Sequence, residues 1–366
     1  MRKIYIVDLI GSYCGMHYYD DAFAQILRDS SFDVEILSNF NKKKTPFFPV
    51  IFGRNKFVSV LLLVVSCIRF YLHILTHRKG VYIYMCYGEF YDILMMIPNT
   101  FCDRMFCDVH EVHALKYADD SKVSKFFSWF YVKFVKNFIY HSERTKKILS
   151  DLNVSVPMLY VPHFKYNFKK NYEMNKIGLD VAKCFNTQRK KFLFFGNLSY
   201  AKGVDIAVKV FQCLNDFEKD NVELVIAGKN VDKIDFSQLR QMSENFYVID
   251  RHINDDELVY LYSKTDYVLL PYRKSSQSGI MAMACYFKKP MLMTDIEYFR
   301  NTINEFPSFG VIASIDEYQN LVCSVINGEK VMAYYNYDDC CRFEQKKDIE
   351  LFVGSFKSVV DKRSHL

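Results

Sequence analysis

Short apolar runs with polar exits recur along the chain, each followed by residues at helical spacing. KIYIVDLI (3–10) is the first such run, and GSYCGMHYYDDAFAQIL after it is a glycine-bearing loop that opens a helix. DVEILS (33–38), GVYIYMCY (80–87), RMFCDVHE (104–111) and NFIYHS (137–142) repeat the pattern. A polar, irregular span near 165–188 interrupts it, and then it restarts. KKFLFFGNLSYAKGVDIAVKVFQCL reads as strand, loop and helix, and VELVIAGK as a strand ending in glycine. NFYVIDRHINDDELVYLYSKTDYVLLPY is strand, capped helix and strand, while KKPMLMTD and FGVIAS supply two more strands. Strands alternating with helices predict parallel α/β sheets.

The two runs predict two Rossmann-like domains, at 1–165 and 186–345, and a last helix-like segment at 346–366 that crosses back to the first. The length of 366 residues also suits two cores better than one. Two segments raise the question of a membrane. FVSVLLLVVSCI (57–68) is apolar for twelve residues before Arg69, short of the roughly 20 needed to span a bilayer. Its flanks mix Lys and Arg with Phe and Tyr, and KVSKFFSWFYVKFVKNF (122–138) sets Lys122, Lys125, Lys133 and Lys136 among aromatic residues. Two such stretches in one half point to peripheral membrane contact. The plain alternative is that both helices pack on the sheet with lysine stems snorkelling.

Composition narrows the class further. Half of the residues are hydrophobic and a quarter charged, so the chain is globular. A formal charge of +6, from 48 basic and 42 acidic residues, is too mild to argue for nucleic acid and suits an anionic ligand or surface. The eleven cysteines form no C-x-x-C pair, which indicates buried thiols in a reducing cytoplasm. The apolar run at the start is broken at Asp8, as in a first strand and unlike a signal peptide.

Chemistry concentrates at two turns. In FFGNLSYAKGVD, Gly196 ends a strand where a bulky side chain would obstruct a ligand, and Lys202 and Gly203 open the next helix. An ammonium beside the positive end of a helix suits a departing diphosphate. In QSGIMAMA, Ser278 can cap a helix while Gly279 leaves its first N–H groups open to phosphate. That corner holds no carboxylate between Asp266 and Asp295. His110 and His113 flank Glu111 at a strand exit, but a third ligand is missing, so no metal is expected.

GNLSYAKGVD, LVIAGK, DDELVYLYSKTDYVLLPY and SGIMAMACYFKKP come in the order and spacing of the C-terminal domain of retaining GT-B glycosyltransferases. The chain resembles bacterial family four, whose members build capsules and O-antigens. DVHEVH, HSERTKKIL and VPH resemble its N-terminal domain. The resemblance implies an α/β GT-B fold, two Rossmann-like domains facing across a cleft, with the donor on the second and the acceptor on the first. It makes Lys202 the phosphate-binding lysine, with Gly196, Asn197 and Gly203 around it. Gly228 and Lys229 would meet the nucleoside, and backbone atoms of Arg251, His252 and Ile253 the base. His110 would approach the reacting centre, Gly15 and Gly11 would let backbone approach the ligands, and Glu111 and His113 would face the acceptor. The departure is at the corner, where the family's two glutamates fall at Ser275 and Met283. Gln277, with Ser278 and Gly279, is the neutral substitute.

The resemblance thus implies sugar transfer, with retention, from a UDP- or GDP-sugar to a saccharide or lipid-linked oligosaccharide acceptor in surface polysaccharide synthesis. It implies no cofactor and no metal, and work in the cytoplasm at the inner face of the cell membrane. The alternatives are an inactive sugar-nucleotide-binding partner of another transferase and a nucleotide-sugar epimerase. The epimerase needs acid/base carboxylates that the corner lacks.

Overall fold

The computed structural model describes residues 2–13, 15–40, 45–101, 104–110, 122–162, 171–275, 278–330, 336, 339 and 346–362. The chain divides into two units, Met1–His163 with Gln345–Leu366, and Phe164–Glu344.

The first unit contains β1 (Ile4–Asp8), β2 (Val34–Ser38), β3 (Val81–Cys86), β4 (Met105–Val109), β5 (Phe138–Tyr140) and β6 (Met158–Tyr160). They form one sheet in the order β2-β1-β3-β4-β5-β6, and all its pairs are parallel. Strands β1, β3 and β4 are buried throughout, which is why their sequences read as continuous apolar runs. The sequence pattern does not announce β6, a three-residue edge strand whose outer positions stay partly exposed.

On one face, Tyr5, Tyr82, Tyr84, Met105 and Phe138 pack against three helices, Lys56–Thr76, Phe90–Met96 and Lys122–Phe134. The apolar run at 57–68 is thus part of a longer helix. Asn55 caps it by accepting from the Val58 N–H at 2.9 Å, and nothing between Arg69 and Thr76 breaks it. The other face meets the last helix, Lys346–Lys362, whose Phe352 ring lies tilted against Phe23 and whose Phe356 touches Phe32 and Phe106.

The second unit contains β7 (Lys190–Phe195), β8 (Val222–Gly228), β9 (Phe246–Asp250), β10 (Tyr267–Leu270), β11 (Met291–Thr294) and β12 (Gly310–Ala313). They form a sheet in the order β12-β11-β10-β7-β8-β9, again entirely parallel. Strand order reverses between β1 and β3 in the first sheet and between β7 and β10 in the second. In doubly wound sheets the crevice at the carboxyl side of such a reversal binds ligands.

Phe356 is fully buried. Phe356→Ala is expected to destabilise the first unit by about 3–5 kcal/mol, read as a lower urea midpoint. A loss below about 1 kcal/mol would mean that the last helix contributes little to this core.

Candidate active site

At the second reversal the loops after β7 and β10 meet, and small residues set how closely. Gly196 has φ +112° and a Cβ there would stand 3.1 Å from Ile280 Cδ1. Gly228, at φ +143°, packs so closely on the Gly196 carbonyl that a Cβ would overlap it, and Gly203, at φ +70°, lies equally close to the Pro271 carbonyl. These glycines are therefore required by loop-on-loop packing before any ligand arrives, a different reason from the ligand clearance read from sequence.

This packing brings the expected phosphate residues together. Gly203 precedes the Val204–Gln212 helix, so Lys202 sits at its positive end. The Lys202 ammonium lies 4.0 Å from the centroid of the Tyr272 ring. The Tyr272 hydroxyl is 3.4 Å from Ser278 Oγ, and that oxygen accepts from the Met281 N–H at 3.3 Å to cap the Gly279–Tyr286 helix. Tyr272 thus links the two turns. Arg273 locks them: its guanidinium pairs with both Asp205 oxygens at 2.7 and 2.6 Å and donates to the Tyr200 carbonyl at 2.6 Å.

The remaining donor candidates sit around this corner with different degrees of freedom. Asn197 and His252 are exposed. The Lys229 carbonyl accepts from the Leu198 N–H at 2.8 Å, tying the β8 exit to the β7 exit. The Arg251 side chain is committed elsewhere, to Glu257 at 2.7 and 2.8 Å and to Asp180 at 2.7 and 3.0 Å. Burial pushes the Glu257 carboxyl up, but its bonds to Arg251 outweigh that and hold it low. Ser275 is half-buried, and Met283 is buried as an apolar residue where the family's second glutamate falls. Gln277, Glu111 and His113 lie outside the described residues. A surface recess of about 850 Å³ between Thr187, Arg189, Phe217 and Asn327 lies at the amino ends of β7 and β8, the opposite ends from this corner.

At the first reversal, Asp8 ends β1 and shapes the loop after it. Its Oδ1 accepts from the Ile10 N–H at 2.8 Å and from the Tyr87 hydroxyl at 3.1 Å, and its Oδ2 from the Gly11 N–H at 2.8 Å. Gly11 has φ +47° and Gly15 φ +72°, so both turns need glycine. Beneath them Asp108 accepts from the Tyr19 hydroxyl at 2.8 Å and meets His141 Nε2 at 2.6 Å. His141 Nδ1 faces the Val161 carbonyl at 2.9 Å, so both ring nitrogens are aimed at acceptors. His110 is buried, with Nε2 3.8 Å from Asp108 and 3.3 Å from Met85 Sδ, and its ring lies between those of Tyr19, Tyr87 and His141.

Three potential metal ligands, Asp108, His110 and His141, do come close in this cluster. Hydrogen bonds to Asp108 from Tyr19 and His141 tie the cluster together. Its carboxyls divide. Burial raises Asp108, yet the charges of His141 and His110 prevail and hold it below the usual range. Burial, reinforced by the Asp8 charge, pushes Asp20 well above that range. Burial also raises Asp8 against several hydrogen bonds, so Asp20 is the one that keeps its proton.

Residues 180–337, within the second unit and under half of the chain, match the family described as glycosyl transferases group 1. No curated protein sequence matches. Among solved structures, the chain is similar to Anabaena Alr3699/HepE in complex with UDP-glucose, at 13% identity and TM-score 0.61, covering 100% of both chains. It is similar to the pneumococcal O-GlcNAc transferase GtfA in complex with UDP and GlcNAc, at 10% identity and TM-score 0.67, covering 98% of this chain and 99% of that one. It is also similar to WaaG, a glycosyltransferase involved in lipopolysaccharide biosynthesis, at 12% identity and TM-score 0.66, covering 98% and 99%. The fold is GT-B, and with the domain match it gives the class: the protein is a glycosyltransferase.

Folded Asp20 holds a proton that the unfolded chain releases above its ordinary carboxyl range. Wild-type stability therefore falls with rising pH through that window. Asp20→Asn, which cannot ionise, is expected to gain on wild type by up to about 1.4 kcal/mol per pH unit from roughly pH 4 upward. Urea unfolding at a series of pH values tests this, and a pH-independent difference would overturn the protonated assignment.

Proposed function

We propose that the enzyme transfers a sugar from a UDP- or GDP-sugar, with retention of configuration, to a saccharide acceptor carried on a lipid in surface polysaccharide synthesis. The observation that carries this is the convergence of Lys202, Tyr272 and the capped amino end of the Gly279–Tyr286 helix at the second sheet's reversal. An ammonium and the amino end of a helix at one corner make a cradle for a diphosphate. UDP-glucose in HepE and UDP with GlcNAc in GtfA favour a uridine donor, and the lipopolysaccharide role of WaaG favours a lipid-borne acceptor.

In this reading the second unit holds the donor and the first supplies the acceptor site. Retention follows from reaction on one face of the sugar. The anomeric carbon–phosphate oxygen bond breaks, the acceptor oxygen bonds to the same carbon, and the acceptor proton passes to the departing phosphate. No protein nucleophile and no metal are required. Lys202 and the Gly279 helix end stabilise the charge that develops on the diphosphate. His110, held rigidly by Asp108 and its neighbouring rings, positions the donor sugar or the acceptor hydroxyl. A lipid-borne acceptor places the work at the inner face of the cell membrane.

Met283, buried and apolar, favours one other reading: a binding partner that holds a sugar nucleotide without turning it over. Release of nucleoside diphosphate only when acceptor is present separates the two.

Calorimetry with UDP and with GDP is expected to show tight binding of one. Lys202→Ala should weaken it by at least about tenfold, near 1.4 kcal/mol. Binding of neither, or binding indifferent to Lys202, would overturn the phosphate site. His110→Ala should lower kcat by about a hundredfold or more while leaving diphosphate affinity within about threefold. Unchanged turnover would remove His110 from the reacting centre.

A further inference from the structure

The Lys56–Thr76 helix buries only Ser66, Phe70 and Ile74. Its outward positions are Phe57, Val60, Leu61, Val64, Val65, Ile68, Leu72 and Leu75, each 47–81% exposed. They recur every three or four residues and form one apolar stripe along the helix. The Lys122–Phe134 helix, on the same face of the sheet, exposes Phe126, Trp129 and Val132. A stripe of this length left to water is unusual for a protein surface and marks a docking face.

Charge says what docks there. Residues 36–88 contain no Asp or Glu and eight Lys or Arg, and residues 121–142 contain no Asp or Glu and four Lys. The two stretches carry twelve positive charges, twice the formal net charge of +6 for the whole chain, so the remainder is acidic on balance. Lys133 lies 5.4 Å from the Trp129 ring centroid, and Phe126 stacks on Trp129 at 5.7 Å. Apolar side chains with basic and aromatic residues beside them match the boundary between acyl chains and anionic headgroups. A second copy of this chain docked face to face would set like charge against like.

The helix meets the length and hydropathy of a membrane span, but its place in the fold forbids crossing. It is the connection from β2 to β3, which sit on either side of β1. It is pinned by Phe70 in the core and by the Tyr71 hydroxyl, which donates to the Leu94 carbonyl at 2.6 Å. Leaving the sheet would undo that crossover.

We infer that the outward faces of Lys56–Thr76 and Lys122–Phe134 form a docking surface for an anionic lipid bilayer, with the long helix lying in its interface. This deepens the reading of a lipid-borne acceptor, yet its test needs neither donor nor acceptor, so the two can fail separately.

Trp129 is the one Trp of the chain and reports directly. Vesicles of phosphatidylcholine containing phosphatidylglycerol are expected to shift its emission to the blue and to sediment the protein, whereas pure phosphatidylcholine vesicles do so weakly. The triple variant Leu61→Gln, Val65→Gln, Ile68→Gln should retain the wild-type circular dichroism and bind these vesicles at least about tenfold less. Lys125→Gln with Lys133→Gln should lose about tenfold or more for anionic vesicles only. No vesicle binding by wild type, or binding untouched by the triple variant, overturns the proposal. So does a wild-type dimer that the triple variant dissolves, which would assign the face to a second copy.

Discussion

Backbone touching backbone fixes the corner on which the proposed donor site depends. Gly228 rests on the Gly196 carbonyl and Gly203 on the Pro271 carbonyl, with no side chain between. Those two contacts set the separation of the loops after β7, β8 and β10, and so decide where Lys202, Tyr272 and Ser278 can be. A methyl group at either glycine would push the loops apart and carry the lysine away from the ring. The salt bridge from Arg273 to Asp205 then holds the arrangement against shear. Rigidity of this kind is what electrostatic stabilisation of a leaving group requires, because dipoles that must reorient lose much of their effect.

The first unit solves a different problem, which is how to keep charge inside a buried network. Burial works against the charge of Asp108, but His141 and His110 beside it, with donation from His141 and Tyr19, hold it below the usual carboxyl range, while burial and the Asp8 charge hold nearby Asp20 well above it. Two carboxyls on neighbouring elements thus have opposite preferences set by their surroundings alone. The outcome is a stiff platform under His110 and a loop shaped by Asp8.

The alternating runs made both sheets legible, since a parallel strand buried on two faces has to be apolar. Lys202, Gly203, Ser278 and Gly279 were legible too, because a helix start has local signals. The partners that matter most to them were not. Tyr272 and Arg273 act across the sheet on residues about 70 positions away, and Asp108 meets Tyr19 and His141 across gaps of 89 and 33. No periodicity records such pairings. The glycines were found for an incomplete reason, as their packing partners are carbonyls of other loops. At Arg251 the expectation concerned backbone atoms near the base, and the sequence did not record that its side chain pairs with two carboxylates. The Lys56–Thr76 helix outran its apolar core because Arg69 can point outward without interrupting it.

The resting place of Lys202 bears on how such a site empties. With its ammonium on the face of Tyr272, the lysine is already partly satisfied, by about 0.5–2 kcal/mol for contacts of this type. In the proposed role, an arriving phosphate would have to draw the cation off the ring, and a departing one would leave it somewhere favourable to return to. A fully naked cation would grip the spent diphosphate more tightly and slow every cycle. In the proposed diphosphate site the aromatic ring would thus be a holding berth that trades some affinity for faster product release.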